Sequence, residues 1–293
     1  MSRFKTLFEN RELYLSSKIV LCEQDSDRVK SASDQLRKLG LEILGVTGFQ
    51  HKTDEYIQML KRKSFTKYWT DEVIENYLRD PLHFAMTMVY VGDADGIVAG
   101  SIYSQEEIVR TALRVLGLKR SRKWLFSSAL IASPNGKISS FVDCHLIPEP
   151  KPEQLFKMAG LTARFYSQKL NVNPKVAFIS FSTNSSHDHY RVTKVKETIG
   201  KFNNQYPDIG FIGEVELKNS LLNTDSNVFV FPNMDAGSVA FQFAKYFANY
   251  ETIGPILNGL NYPVTIISND STVDEIINSV LLTGLEVEQV ANV

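Results

Sequence analysis

The sequence predicts an α/β chain of two domains with mainly parallel sheets. Three observations carry this. Short apolar runs of strand length alternate with amphipathic stretches of helix length: 18–22 (KIVLC), then a helix over 29–39 closed by Gly40, then a run at 41–46. Several runs, such as 85–91 (AMTMVYV), are apolar almost throughout, as in strands covered on both faces. The 293 residues suit one large or two medium domains, and 119–123 (KRSRK) reads as a basic surface connection and hinge.

Further elements follow in order. Residues 1–15 read as a short helix with Phe4, Leu7 and Phe8 on one side. Residues 53–63 and 70–79 are amphipathic helices, the second stopped by Asp80-Pro81. The run 85–91 reads as a strand, Gly92-Asp-Ala-Asp-Gly96 as a tight turn, and 97–103 as a second strand. Ser104 to Glu107 is a capping box opening a helix whose apolar side holds Ile108, Leu113 and Leu116. Strands are expected at 124–132, 137–142, 176–181, 228–231 and 264–267. Helices are expected at 153–169, from about 188, at 238–248 and at 274–285.

Composition narrows the function classes. The 32 basic and 33 acidic residues nearly cancel, so neither a nucleic-acid nor a membrane partner is expected. Cys22 and Cys144 each lie at the end of an apolar run and read as reduced core thiols of a cytoplasmic protein. No Gly-x-Gly-x-x-Gly follows a strand, which argues against a nicotinamide dehydrogenase. His187-Asp188-His189 brings two histidines together without a third ligand, so no metal is expected.

Several motifs carry a family resemblance. Residues 92–118 combine the Gly-Asp-Ala-Asp-Gly turn, Val-Ala-Gly, a polar loop and a helix bearing Arg110. Residues 231–237 read Phe-Pro-Asn-Met-Asp-Ala-Gly, and 254–260 read Gly-Pro-Ile-Leu-Asn-Gly-Leu. This pattern resembles the phosphotransacetylases (phosphate acetyl/butyryltransferases) from residue 18 to about 277. The resemblance implies a two-domain three-layer sandwich like that of the isocitrate/isopropylmalate dehydrogenases. It places residues 1–120 and 268–293 in one domain and 121–267 in the other, with a cleft between them and a homodimer as the assembly.

The resemblance also implies chemistry: acetyl-CoA and phosphate exchanged for acetyl phosphate and coenzyme A, with CoA as substrate and no permanently bound cofactor or metal. Glu275 stands where the family has its general base, and Thr272-x-x-Glu275 is equally a capping box. Ser268 keeps the serine of the family's Ser-Arg-Gly, while Asn269 and Asp270 replace the arginine and glycine. Lys61 and Arg62 are joint candidates for a ligand-binding basic residue, or form a solvated helix end. Ser182 and Thr183 match the family's Ser-Thr loop before a helix, a place that suits an anion, although the following lysine is Asn184. Arg110 and Glu275 are expected to face one another across the gap. The losses at 269 and 184 motivate a second expectation, a relative without turnover that keeps the fold and binds CoA or an acyl ligand, or serves as a partner subunit.

Overall fold

A computed structural model of the chain describes residues 3–8, 16–183, 188–222 and 224–287. It divides into two compact units. The first holds Phe8–Leu125 and Ile256–Val293, and the second holds Met1–Leu7 and Phe126–Pro255. The second crossing therefore lies at 255/256, ahead of the expected return near 268. The reason is strand pairing: Val264–Ile266 hydrogen-bonds in parallel to Gly96–Ala99 of the first unit. The N-terminal residues go with the second unit because the Arg3 backbone N–H donates to Glu251 Oε2 at 2.8 Å and its guanidinium to the Asn249 carbonyl at 2.5 Å.

In the first unit, β1 (Lys18–Leu21), β2 (Glu42–Leu44), β3 (Gly96–Ala99) and β10 (Val264–Ile266) are parallel in the order β2-β1-β3-β10. β9 (Glu251–Asn258) meets β10 antiparallel through Ile256 and Thr265. All four residues of β3 are buried. It touches α10 (Val273–Glu286) and α4 (Pro81–Val91), while α1 (Asp27–Lys38) packs on α10 and α5 (Gln105–Val115) on α4. A strand so enclosed can be apolar at every position.

Residues 85–91 are helical, the last part of α4, and not the expected strand. The helix buries Leu82 and every residue from Phe84 to Val89, so its sequence lacks the polar face that betrays a surface helix. An apolar run of that length does not by itself separate strand from buried helix. The start signal lies just upstream. Asp80 accepts the backbone N–H groups of Leu82 and His83 at 2.9 and 3.2 Å, and Pro81 takes the first helical position. Gly92 ends the helix at φ 91°. In α5 the buried side is Ile108, Thr111, Ala112 and Val115, and Leu113 is exposed.

In the second unit, β4 (Phe126–Ala132) and β5 (Ile138–Val142) are antiparallel. β8 (Val228–Val230), β6 (Lys175–Ile179) and β7 (Gly210–Val215) continue in parallel, in the order β5-β8-β6-β7. Phe141 is wedged edge-on between Phe229 and Phe231, with ring centroids 5.7 and 5.0 Å away. Asn233 caps α9 (Met234–Tyr246), whose start lies four residues before the expected one. Gly237 sits inside that helix because a side chain there would stand 2.9 Å from Cys144 Sγ. Gly254 and Pro255 lie within β9 and not in a turn.

Just past β5, the buried Asp143 and the half-buried His145 have opposite tendencies. Asp143 accepts the Ser127 N–H and hydroxyl and the Ile147 N–H, at 3.0, 3.1 and 3.1 Å. Burial outweighs those bonds and raises its carboxyl to about 6. Burial also lowers the His145 imidazole to about 4. The native state therefore holds a proton on Asp143 that the unfolded chain releases between about pH 4 and 6. As pH falls from 6.5 towards 4, Asp143 adds stability while His145 removes it. As pH falls from 6.5 to 4.5, His145→Gln should thus become more stable relative to wild type, and Asp143→Asn less stable relative to it. Denaturant midpoints at the two pH values check this, and parallel profiles for all three proteins would refute it.

Candidate active site

The candidate site in the first unit is built on the carboxyl ends of β1, β3 and β10, where parallel sheets leave helix N-termini and loops free for ligands. Glu23, two residues beyond β1, is buried. Its carboxylate accepts the backbone N–H groups of four successive residues after β3. The Gly100 N–H lies 3.0 and 2.9 Å from its two oxygens, and those of Ser101, Ile102 and Tyr103 lie at 2.9, 2.8 and 3.0 Å. Each is charge-assisted, and together they replace the water that burial removes. Gly100, at φ 128°, is needed where β3 passes β10. A β-carbon there would fall 1.9 Å from the Ile267 carbonyl oxygen.

The pinned loop delivers the chain to the expected capping box. The Ser104 hydroxyl accepts the Glu107 N–H, and Glu107 Oε2 accepts the Ser104 N–H at 2.9 Å. Arg110, one turn on, is half exposed and ion-paired to Glu106 on its own helix. Arg110 and Glu275 belong to the same unit, so they do not face each other from two lobes.

After β10, residues 268–271 form a tight loop. The Ser268 N–H donates to Ser271 Oγ at 2.9 Å, and the Ser268 hydroxyl is taken by the Asp270 carboxylate. Thr272 and Glu275 then make the second expected capping box: Glu275 Oε2 accepts the Thr272 N–H at 2.8 Å and Thr272 Oγ1 accepts the Glu275 N–H at 3.2 Å. Glu275 is buried and held in one orientation at the start of α10. The loop is gripped from β1's side by Arg28, in the first turn of α1. Its Nη1 donates to the Ser271 carbonyl at 2.7 Å, and its Nη2 donates to the Asn269 carbonyl.

The remaining predicted residues lie apart from this loop or in the other unit. The Lys61 ammonium is paired with Asp71, and Arg62 is exposed beside it. The neighbouring Lys63 lies over the Tyr90 ring at 3.5 Å. In the second unit, Ser182 is fully buried and its N–H donates to Ser180 Oγ at 3.2 Å. Thr183 Oγ1 is buried with no hydrogen-bond partner among the described residues. Asn184 and His187 lie outside the described residues. Among the described residues no group of three His, Cys, Asp or Glu is placed to hold a metal, and no helix is long and apolar enough to cross a membrane. A cavity of about 400 Å³ opens in the first unit among Cys22, Gln24, Asp25, Thr47, Glu75 and Arg79, but no predicted site residue lines it.

The family described as phosphate acetyl/butaryl transferase matches residues 9–284. The chain belongs to this family. A phosphate acetyltransferase of Thermoanaerobacterium thermosaccharolyticum is 28% identical over 312 aligned residues, covering 92% of this chain and 95% of the relative. A crystal structure of a phosphotransacetylase from Streptococcus pyogenes superposes with a TM-score of 0.80 at 25% identity, covering 98% of this chain and 99% of that one. A putative 4-hydroxythreonine-4-phosphate dehydrogenase from Salmonella typhimurium, 9% identical, gives a TM-score of 0.51 over 97% of this chain and 94% of its own, which shows the shared dehydrogenase-like fold alone. The phosphate acetyl/butaryl transferase fold expected from the motifs is therefore present, with its mainly parallel α/β sheets.

Glu23 and Arg28 stand in the segment 22–28, where the sequence resembles the family's opening, a strand running into Pro-Glu-Gly and an acidic, arginine-bearing helix start, with the proline and glycine missing; that resemblance assigned neither residue a place in the site. Glu23→Gln should cost roughly 3 kcal/mol, because an amide brings N–H groups to four backbone donors and removes the charge they hold. Equilibrium denaturation checks this, and a loss within experimental error would mean that the carboxylate does not hold the loop.

Proposed function

We propose that the chain is a phosphate acetyltransferase, moving an acetyl group reversibly between coenzyme A and phosphate. The observation that carries this is the family match over 9–284, with a serine loop and a fixed acid kept at the end of β10. In one direction phosphate attacks the thioester carbonyl and the CoA thiolate leaves. In the other, a thiol of pKa about 8.5 must lose its proton before attacking acetyl phosphate. Glu275 is the base for that proton. Ser268 and Asn269 meet the acyl phosphate with hydroxyl, amide and backbone donors. Arg110 is assigned a catalytic role beside them, and Lys61 or Arg62 a substrate-binding one. Ser182 and Thr183 are assigned to an anion within the second unit, where the Thr183 hydroxyl is buried. No resident cofactor or metal enters this scheme, and the reduced thiols Cys22 and Cys144 fit a cytoplasmic enzyme.

The substitution Glu275→Gln separates base from cap, because glutamine also serves at the third position of a capping box. Thiol release from acetyl-CoA should depend on added phosphate in the wild type and fall about 10²–10⁴-fold in this variant, with its melting temperature unchanged. Phosphate-independent or absent release by folded wild type rejects the function, and full turnover by the variant rejects the base.

The homodimer belongs to the same proposal. Val239, Phe243, Tyr246 and Phe247 line one side of α9 at 68, 60, 60 and 80% exposure. The Phe243 and Phe247 rings stack at 5.0 Å. Such a stripe suits the self-complementary contact of a two-fold dimer. Sedimentation should give a dimer for the wild type and a monomer for Phe243→Glu/Phe247→Glu; a wild-type monomer at micromolar concentration overturns it.

A further inference from the structure

We propose that an aromatic cluster of Phe65, Trp69, Tyr77 and His83, with Arg114 beside it, holds the adenosine and phosphates of coenzyme A. The inference rests on the transferase reading and adds a subsite to it. All five residues belong to the first unit, and the four rings are half-buried. Trp69 meets Phe65 and Tyr77 at centroid distances of 5.5 and 5.4 Å and at steep angles, 87° and 65°. The His83 ring lies flat on Tyr77, of α3 (Asp71–Leu78), at 3.8 Å, and its Nδ1 is 3.0 Å from the Tyr77 carbonyl. The rings are thus held in place, yet no other ring lies flat on Trp69 among the described residues. A planar base stacking on an indole already fixed by its neighbours costs little ordering.

Polar groups beside the rings select a phosphorylated base over an apolar partner. The Tyr77 hydroxyl is buried and has no hydrogen-bond partner among the described residues. Burial pushes it up to about 12, and the charge of nearby Arg114 draws it the other way. Arg114 makes no ion pair among the described residues, unlike Arg110 one turn earlier in α5, which is held by Glu106. A donor without an acceptor and a cation without a carboxylate therefore stand together, and phosphate oxygens answer both. Exposed Lys67, over the Tyr68 ring at 5.2 Å, adds a cation on the Trp69 side. The position suits the substrate. Phe65 lies three residues beyond Arg62, and Arg114 shares a helix face with Arg110. Coenzyme A carries its base and phosphates at the end remote from its thiol, so that end needs a dock away from the reacting loop.

The test compares wild type with Trp69→Ala, Trp69→Phe and Arg114→Ala. Phosphate-dependent thiol release is measured with acetyl-CoA and with S-acetylpantetheine, which keeps the thioester but lacks the nucleotide. Calorimetry measures binding of adenosine 3′,5′-bisphosphate. Trp69→Ala and Arg114→Ala should each raise KM for acetyl-CoA about tenfold with kcat unchanged, and leave S-acetylpantetheine turnover at the wild-type level. Trp69→Phe keeps a stacking face and should fall between wild type and alanine. The bisphosphate should bind wild type and weaken about tenfold in both alanine variants. Wild-type KM for acetyl-CoA in both alanine variants overturns the proposal, even if they bind the bisphosphate less well, because the site would then serve a free nucleotide. Equal losses with both thioesters also overturn it, since the residues would then only support the fold. If wild type shows no turnover with either thioester, the transferase reading fails separately. Bisphosphate binding that falls in the variants would still uphold the nucleotide site, and no bisphosphate binding by wild type would end it.

Discussion

One buried carboxylate ties together the ends of two neighbouring strands. Glu23 leaves β1 and collects the N–H groups of four successive residues as the chain leaves β3. Burying an isolated carboxylate costs several kcal/mol, so the arrangement survives only because the backbone donors are already turned inward. That requirement explains its neighbours. Gly100 must be glycine, since β3 passes within contact of the Ile267 carbonyl. Ser104 must cap α5 at once, because the donors ahead of it are spent on Glu23. The loop after β10 packs beside this fixed edge, and Arg28 reaches it from the helix that follows Glu23.

Charge placement turns this scaffold into a site. Most cations near the family motifs are matched within the chain and contribute to a solvated surface, where such pairs are worth little to stability. The loop after β10 is different. Its residues Asn269 and Asp270 leave it with a carboxylate and no cation of its own. Arg28 holds that loop in place by donating to the carbonyls of Asn269 and Ser271.

How much was legible in the sequence follows the range of the interactions. Both capping boxes could be read because each closes within four residues. The family pattern and the α/β class were legible because glycine and proline turns and strand-length runs are written locally. The run at 85–91 misled because a helix buried on all sides has no polar stripe, and only Asp80-Pro81 announced it. The unit boundary at 255/256 was set by the pairing of β10 with β3, which no local composition reveals. Arg28 and Asn269 are 241 positions apart, and a hydrogen bond across that separation has no signature in a one-dimensional pattern. Glu275 remains both cap and acid, since the same geometry serves each.

Amide hydrogen exchange at residues 100–103, followed residue by residue in the native protein, tests the central constraint most directly. Outside regular structure such amides exchange within seconds when they face water. If the Glu23 carboxylate holds them, all four should exchange as slowly as the strand amides of β3, and their protection should fall together as the protein is taken towards its unfolding transition. Rapid exchange at Ser101 to Tyr103 under native conditions, alongside a protected β3, would show that no carboxylate anchors the loop.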